Sequence, residues 1–79
     1  MKTIYLVQVE DTIFRGDRSF STFEFNDACF EEYTSAKERI LELSARWSKI
    51  LGIEDKKTDS VDTPYRVLRF RIQSIMLYK

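Results

Sequence analysis

The sequence predicts an α+β domain. It would hold a small antiparallel sheet of three strands, four if the first hairpin is long, with one amphipathic helix packed on one face in the order β-β-α-β. Three observations lead there. Alternating apolar residues of period two mark both ends of the chain, and an unbroken stripe of helical period occupies the middle. Between them lie polar stretches that carry the glycines and the proline.

Thr3 to Val9 reads as the first strand, because β-branched and aromatic residues dominate it. Its two faces are both apolar, which suits a central strand or one covered on both sides. Thr12 to Arg15 is either a continuation of that strand or a loop. Gly16-Asp17 is the best turn signal, with the glycine at the first central position of a two-residue hairpin loop. The second strand lies within Arg18 to Phe30, where Phe23 and Phe25 share a face and Phe20 takes the other unless a bulge intervenes. Asn26-Asp27 is a turn, a bulge or a helix start.

Phe30, Tyr33, Ala36, Ile40, Leu43, Trp47 and Ile50 form one stripe of an amphipathic helix over about residues 33 to 51, which Leu41 and Leu51 widen. Ser35 and Glu38 have capping-box spacing, although Thr34 or an earlier residue could also cap. Gly52 is placed to end the helix in a left-handed conformation. Ile53 to Pro64 reads as a polar connecting loop. Tyr65 to Leu77 is the closing strand: Leu68, Phe70 and Ile72 point one way, and Val67, Arg69, Arg71 and Gln73 the other. The apolar phase changes near Ser74, since Ile75 and Leu77 fall opposite Ile72. Either a bulge restores the phase or this end packs against something else. With no internal repeat, linker or low-complexity stretch, residues 1–79 are expected to form one domain.

Composition narrows the function. The 79 residues hold no histidine and one cysteine, so there is no imidazole base, no Cys/His zinc set and no internal disulfide. The only strong nucleophile by type, Cys29, has no histidine to activate it and is read as a small apolar residue at the strand–helix junction. Glu31-Glu32 would need a cleft to act as a carboxylate pair, and a domain this small seldom encloses one. Gly16 and Gly52 are isolated, so no phosphate-cradling loop is present. The tripeptide Arg15-Gly16-Asp17 matches a cell-adhesion motif, but a hairpin turn explains it better. The apolar start is short and broken by Gln8 and Glu10, which is neither a signal peptide nor a membrane span; a cytoplasmic location is expected. No catalytic, cofactor or metal residue is assigned, and the chain is read as no enzyme.

The order of elements, an aromatic ending the second strand, and the run Phe30-Glu31-Glu32-Tyr33-Thr34-Ser35-Ala36-Lys37-Glu38-Arg39-Ile40 opening the helix carry a resemblance. The chain resembles the small strand–strand–helix–strand proteins common in bacteriophage and prophage genomes. Several of these are anti-CRISPR or other anti-defence inhibitors that bind a host protein or ribonucleoprotein complex. The resemblance implies a class of activity and assigns no functional residue.

Thirteen bases balance thirteen acids, but they are segregated. Glu10 to Glu32 is mostly acidic, whereas Tyr65 to Lys79 carries Arg66, Arg69, Arg71 and Lys79 and no acid. These segments are either neighbouring strands whose charges pair or surfaces for a partner. The candidate partner-binding residues are Glu24, Asp27, Glu31 and Glu32 on the acidic side, Arg66, Arg69 and Arg71 on the basic side, and exposed Tyr78 beside Met76. Trp47 is read as core. One helix covers one face only, so the other needs loops, a second subunit or a partner. The leading expectation is a protein-binding inhibitor without cofactor. A nucleic-acid module using the arginines, or a structural homo-oligomer such as a homodimer, is the alternative.

Overall fold

The computed structural model describes residues 1–78; Lys79, counted above among the bases of the final strand, lies outside the described residues. Strands β1 (Lys2–Phe14), β2 (Phe20–Phe30), β3 (Ser60–Asp62) and β4 (Arg66–Leu77) form one antiparallel sheet in the order β2-β1-β4-β3, with helix α1 (Tyr33–Leu51) between β2 and β3. The expected strand–strand–helix–strand order holds. The fourth strand comes from the segment Ile53–Pro64, which the sequence reading treats as loop throughout, rather than from the first hairpin.

β1 is central and continuous over 13 residues. It pairs with β2 from Tyr5↔Phe30 to Phe14↔Phe20 and with β4 from Lys2↔Leu77 to Ile13↔Arg66. β1 is thus central as expected, but the helix covers only the face of Tyr5, Val7 and Val9, and Ile4 and Leu6 lie on the other. The segment Thr12–Phe14 extends the strand into the turn. There Arg15 N–H donates to the Ser19 carbonyl at 2.9 Å, and the loop residues are Gly16, Asp17 and Arg18. The left-handed residue is Arg18 (φ 73) and not Gly16, so the connection is a three-residue loop rather than the expected two-residue one. The Asp17 carboxylate secures it by accepting the Ser19 amide and hydroxyl.

A register shift between Val7 and Gln8 leaves Asp27 as the extra residue of a bulge in β2, which settles the three-way reading of Asn26-Asp27. The bulge changes the strand's phase. Phe23 and Phe25 lie on the helix side before it, and Ala28 and Phe30 lie there after it. Cys29 stands at the strand–helix junction as expected, but it points away from the helix and is exposed.

Helix α1 spans the expected residues, but its ends and its buried stripe differ in detail. Glu32 is the N-cap and makes no side-chain capping bond, so Ser35 sits inside the first turn and no capping box forms. The C-terminus closes as expected: Gly52 is left-handed (φ 70), and Ile53 N–H donates to the Ser48 carbonyl at 2.9 Å. Ala36, Ile40 and Leu43 are buried with Ser44 and Ser48, whereas Ile50 is 61% exposed. The stripe thus drifts toward β3, where small serines admit a close neighbour. Ser44 also donates to Asp55 at 2.9 Å, pinning the chain that returns to the sheet.

The core is Val7 and Val9 of β1, Leu68 and Phe70 of β4 and Val61 of β3, under Ala36, Ile40 and Leu43. Trp47 packs half-buried against it. β4 pairs with β1 in regular register to Leu77, so no bulge corrects the phase change at Ser74. Ile75 and Leu77 consequently lie on the face without the helix. No helix is long and apolar enough to cross a membrane among the described residues.

The two glycines separate conformational need from space. A Cβ at either would meet nothing within 4 Å, yet only Gly52 has positive φ. Gly52→Ala should lose about 1 kcal/mol in urea denaturation, while Gly16→Ala should stay within about 0.5 kcal/mol of the parent. Equal losses would contradict the assignment of the helix stop.

Candidate functional site

β1 presents Lys2, Ile4, Leu6, Gln8, Glu10, Thr12 and Phe14 to the face opposite the helix, since directly paired residues of antiparallel strands share a face. The register then sets the rows. Cys29, Leu6 and Gln73 share one row, with Ile4 beside Ile75 and Lys2 beside Leu77 toward the same end. This end is apolar. Leu6 is buried there although no helix covers it, and Leu77 is 41% exposed.

Next comes a polar ladder across three strands. Gln8 donates to Asn26 at 3.1 Å and accepts from the Arg71 guanidinium at 3.1 Å, and Arg71 lies 3.7 Å from Glu24. Beyond it Glu24, Glu10 and Arg69 stand in one row, followed by Thr22 and Thr12 with hydroxyls 3.2 Å apart. Phe14 and Phe20, with ring centres 6.2 Å apart, finish the face at the hairpin tip. The face is therefore apolar at both ends and internally neutralised between them.

The charged candidates divide between this face and the helix side. Asp27 turns inward at the bulge and takes Arg39 of α1 in a two-pronged pair at 2.7 and 3.0 Å. Glu42 joins at 3.1 Å, and these hydrogen bonds, Asp27 first, push the Arg39 pKa up. Arg66 shares the parity of Leu68 and Phe70, so it points to the helix and not to solvent. It grips Asp11 at 2.9 and 2.6 Å and lies 4.8 Å from the centre of the Trp47 ring. Asp27 and Arg66 are thus engaged within the fold, on the helix side, and are not presented on the bare face.

Glu31 pairs with Lys2, and Glu32 is the helix N-cap. Glu24, Arg69 and Arg71 do lie together on the bare face, and Tyr78 is 76% exposed beyond β4. Arg69 makes no ion pair with the described residues. Asp11, only 7% exposed, was missed as an anchor. Its signal was an acid in phase with Val7 and Val9, where an apolar residue belongs.

Phe23 and Phe25 form a second exposed apolar strip, on the helix side of edge strand β2. They are 56% and 45% exposed because α1 crosses diagonally from β2 toward β3 and leaves them uncovered. Among the described residues no cluster of acids and cysteine is arranged to hold a metal ion. Compared with protein-family models, curated proteins and solved structures, the chain matches none.

Two expectations follow from these charges. Asp11→Ala would leave a half-buried guanidinium without its partner and should cost about 2–3 kcal/mol, measured by urea denaturation. Asp11→Leu with Arg66→Met should recover much of that loss; a double variant worse than the single one would contradict the pairing. The Ser19 hydroxyl and amide hold the Asp17 carboxyl below its usual range, and the Lys2 hydrogen bond and charge do so for Glu31. Such groups favour the fold above their unfolded pKa, and that contribution disappears as pH falls through the lower folded value. Urea midpoints should therefore drop below about pH 4, and Asp17→Asn with Glu31→Gln should flatten that acid limb. An unchanged slope would rule these two groups out as its source.

Proposed function

We propose that the chain is a non-enzymatic protein-binding module, an inhibitor of the phage type that blocks a host defence or regulatory complex by steric and electrostatic occlusion. The observation that carries this reading is surplus surface. The chain exposes 5866 Å², whereas a monomer of its 9.4 kDa mass is expected to expose about 5000 Å². The surplus matches the ~800 Å² that one partner contributes to a standard protein interface. Its radius of gyration is 14.3 Å against about 11.6 Å for a compact chain of this length.

The bare sheet face is the surface best suited to the role. Ile75 and Leu77 supply apolar contact, while Glu24, Arg69 and Arg71 supply charges of both signs. A nucleic-acid role has less support, because Arg66 is committed to Asp11 and Arg71 to Gln8 and Glu24. A second copy of the chain is the alternative occupant of the same face.

Affinity capture from host lysate, with and without nuclease, tests the reading. The chain should retain a nuclease-resistant protein, and Ile75→Lys with Leu77→Lys should reduce its capture about tenfold or more without unfolding the chain. Capture abolished by nuclease would favour nucleic acid instead. Sedimentation as a dimer, lost in the same variant, would favour the homo-oligomer.

A further inference from the structure

β3 covers only a short part of the outer edge of β4. It pairs with Val67 to Arg69, and the last bond along this line runs from Phe70 N–H to the Asp59 carbonyl at 2.8 Å. In an antiparallel strand, alternate residues direct both N–H and C=O to the same side. The Arg66 carbonyl bonds Thr63 and the Phe70 amide bonds Asp59, so residues of this parity face outward. Ile72, Ser74 and Met76 continue the series with no strand beside them among the described residues. The usual protections of an open edge are lacking, since Ile72 to Leu77 contains no lysine, proline or bulge.

This edge lies at the side of a groove of about 650 Å³. The first half of α1 forms the facing wall, with Tyr33, Ile40 and Leu41 as its apolar part. Tyr33 and Leu41 line this groove and are 50% and 47% exposed. Two ammonium groups flank the space. Lys37 stands 5.7 Å from the Tyr33 ring centre, and Lys57 comes from the returning loop, where a left-handed backbone (φ 54) and a bond from its amide to Asp55 set its position. Asp59 is the acid on the lining, and Arg71 borders the groove while its guanidinium is engaged on the opposite face.

We propose that this groove binds an extended, carboxylate-bearing peptide segment of a protein partner, which adds as a strand to the Ile72–Met76 edge. The unpaired backbone selects an extended ligand, the α1 wall selects apolar side chains at alternate positions, and Lys37 and Lys57 select carboxylates. The inference goes beyond the bare-face reading, since it concerns a different surface and names the ligand's chemistry.

The test uses the full-length, ¹⁵N-labelled chain and a blocked heptapeptide Glu-Thr-Val-Thr-Val-Thr-Glu, whose valines and glutamates share one strand face, with the same peptide carrying lysine in place of glutamate as control. The amides of Ile72, Ser74 and Met76 should shift and gain protection from exchange with the acidic peptide. Lys37→Glu with Lys57→Glu, both at exposed positions, should weaken its binding about tenfold, the loss of two exposed ion pairs. Absence of shifts at millimolar peptide, equal binding of both peptides, or shifts confined to β2 would each overturn the proposal. So would protection of this edge that depends on chain concentration without peptide, which would assign the groove to a second copy. Because Lys37→Glu with Lys57→Glu leaves Ile75 and Leu77 in place, loss of peptide binding with lysate capture retained, or the reverse, separates failure of the groove from failure of the bare face.

Discussion

A mismatch of lengths governs this molecule. A helix of 19 residues is about 28 Å long, whereas a strand of 13 residues runs about 44 Å. One helix laid on that sheet must leave part of it uncovered, and α1 adds to the shortfall by crossing obliquely. Its first turn meets Tyr5 through the edge-on Tyr33 ring, and its last turns reach Trp47 over Arg66. The hairpin tip, the strip at Phe23 and Phe25, and the overhanging ends of β1 and β4 all lie outside its reach. On the helix side, Phe23 and Phe25 are exposed by this geometry, whereas Phe14, Phe20 and Leu77 are exposed because they lie on the face that has no helix.

Attachment of the helix is correspondingly electrostatic at its flanks. Between Ala36 and Leu43 it rests on ordinary apolar packing. Toward β2 it is held by Asp27 and Arg39, and toward β4 by the stack of Trp47 on the guanidinium that clasps Asp11. Paired, planar arginine contacts of this kind fix orientation as well as distance. They convert a narrow apolar contact into a defined crossing angle, which in turn decides where the grooves beside the helix open.

Periodicity made much of this fold legible. The helix, the faces of β4 and the shared face of Phe23 and Phe25 stand where their spacing places them, because each pattern spans enough residues to define a phase. β3 was invisible for the opposite reason: Ser60-Val61-Asp62 is too short to carry a period and exists through pairing with β4. Thr63, whose hydroxyl takes the Arg66 amide at 2.8 Å, helps close the turn that allows it. Gly16 misdirected the hairpin because local hydrogen bonds at Asp17 make a left-handed arginine acceptable. The candidate surface was legible in sign but not in partner. Sequence places Arg69 and Arg71 together, yet the engagement of Asp27 with Arg39 depends on a bulge and that of Arg66 with Asp11 on a diagonal across two strands.

The central position of β1 also shapes the route by which the chain folds. Its pairing with β2 is local and can form early. Its pairing with β4 joins Lys2 to Leu77, and the core is incomplete until that distant closure occurs. Such separation places the entropic cost of a long loop ahead of most of the stabilising contacts, which slows folding relative to a helical bundle of equal size. During that interval the hairpin exposes a second apolar edge along β1, the one later covered by β4. The arrangement that makes β1 the best-protected strand of the finished sheet thus makes it the most adhesive segment of the unfinished one.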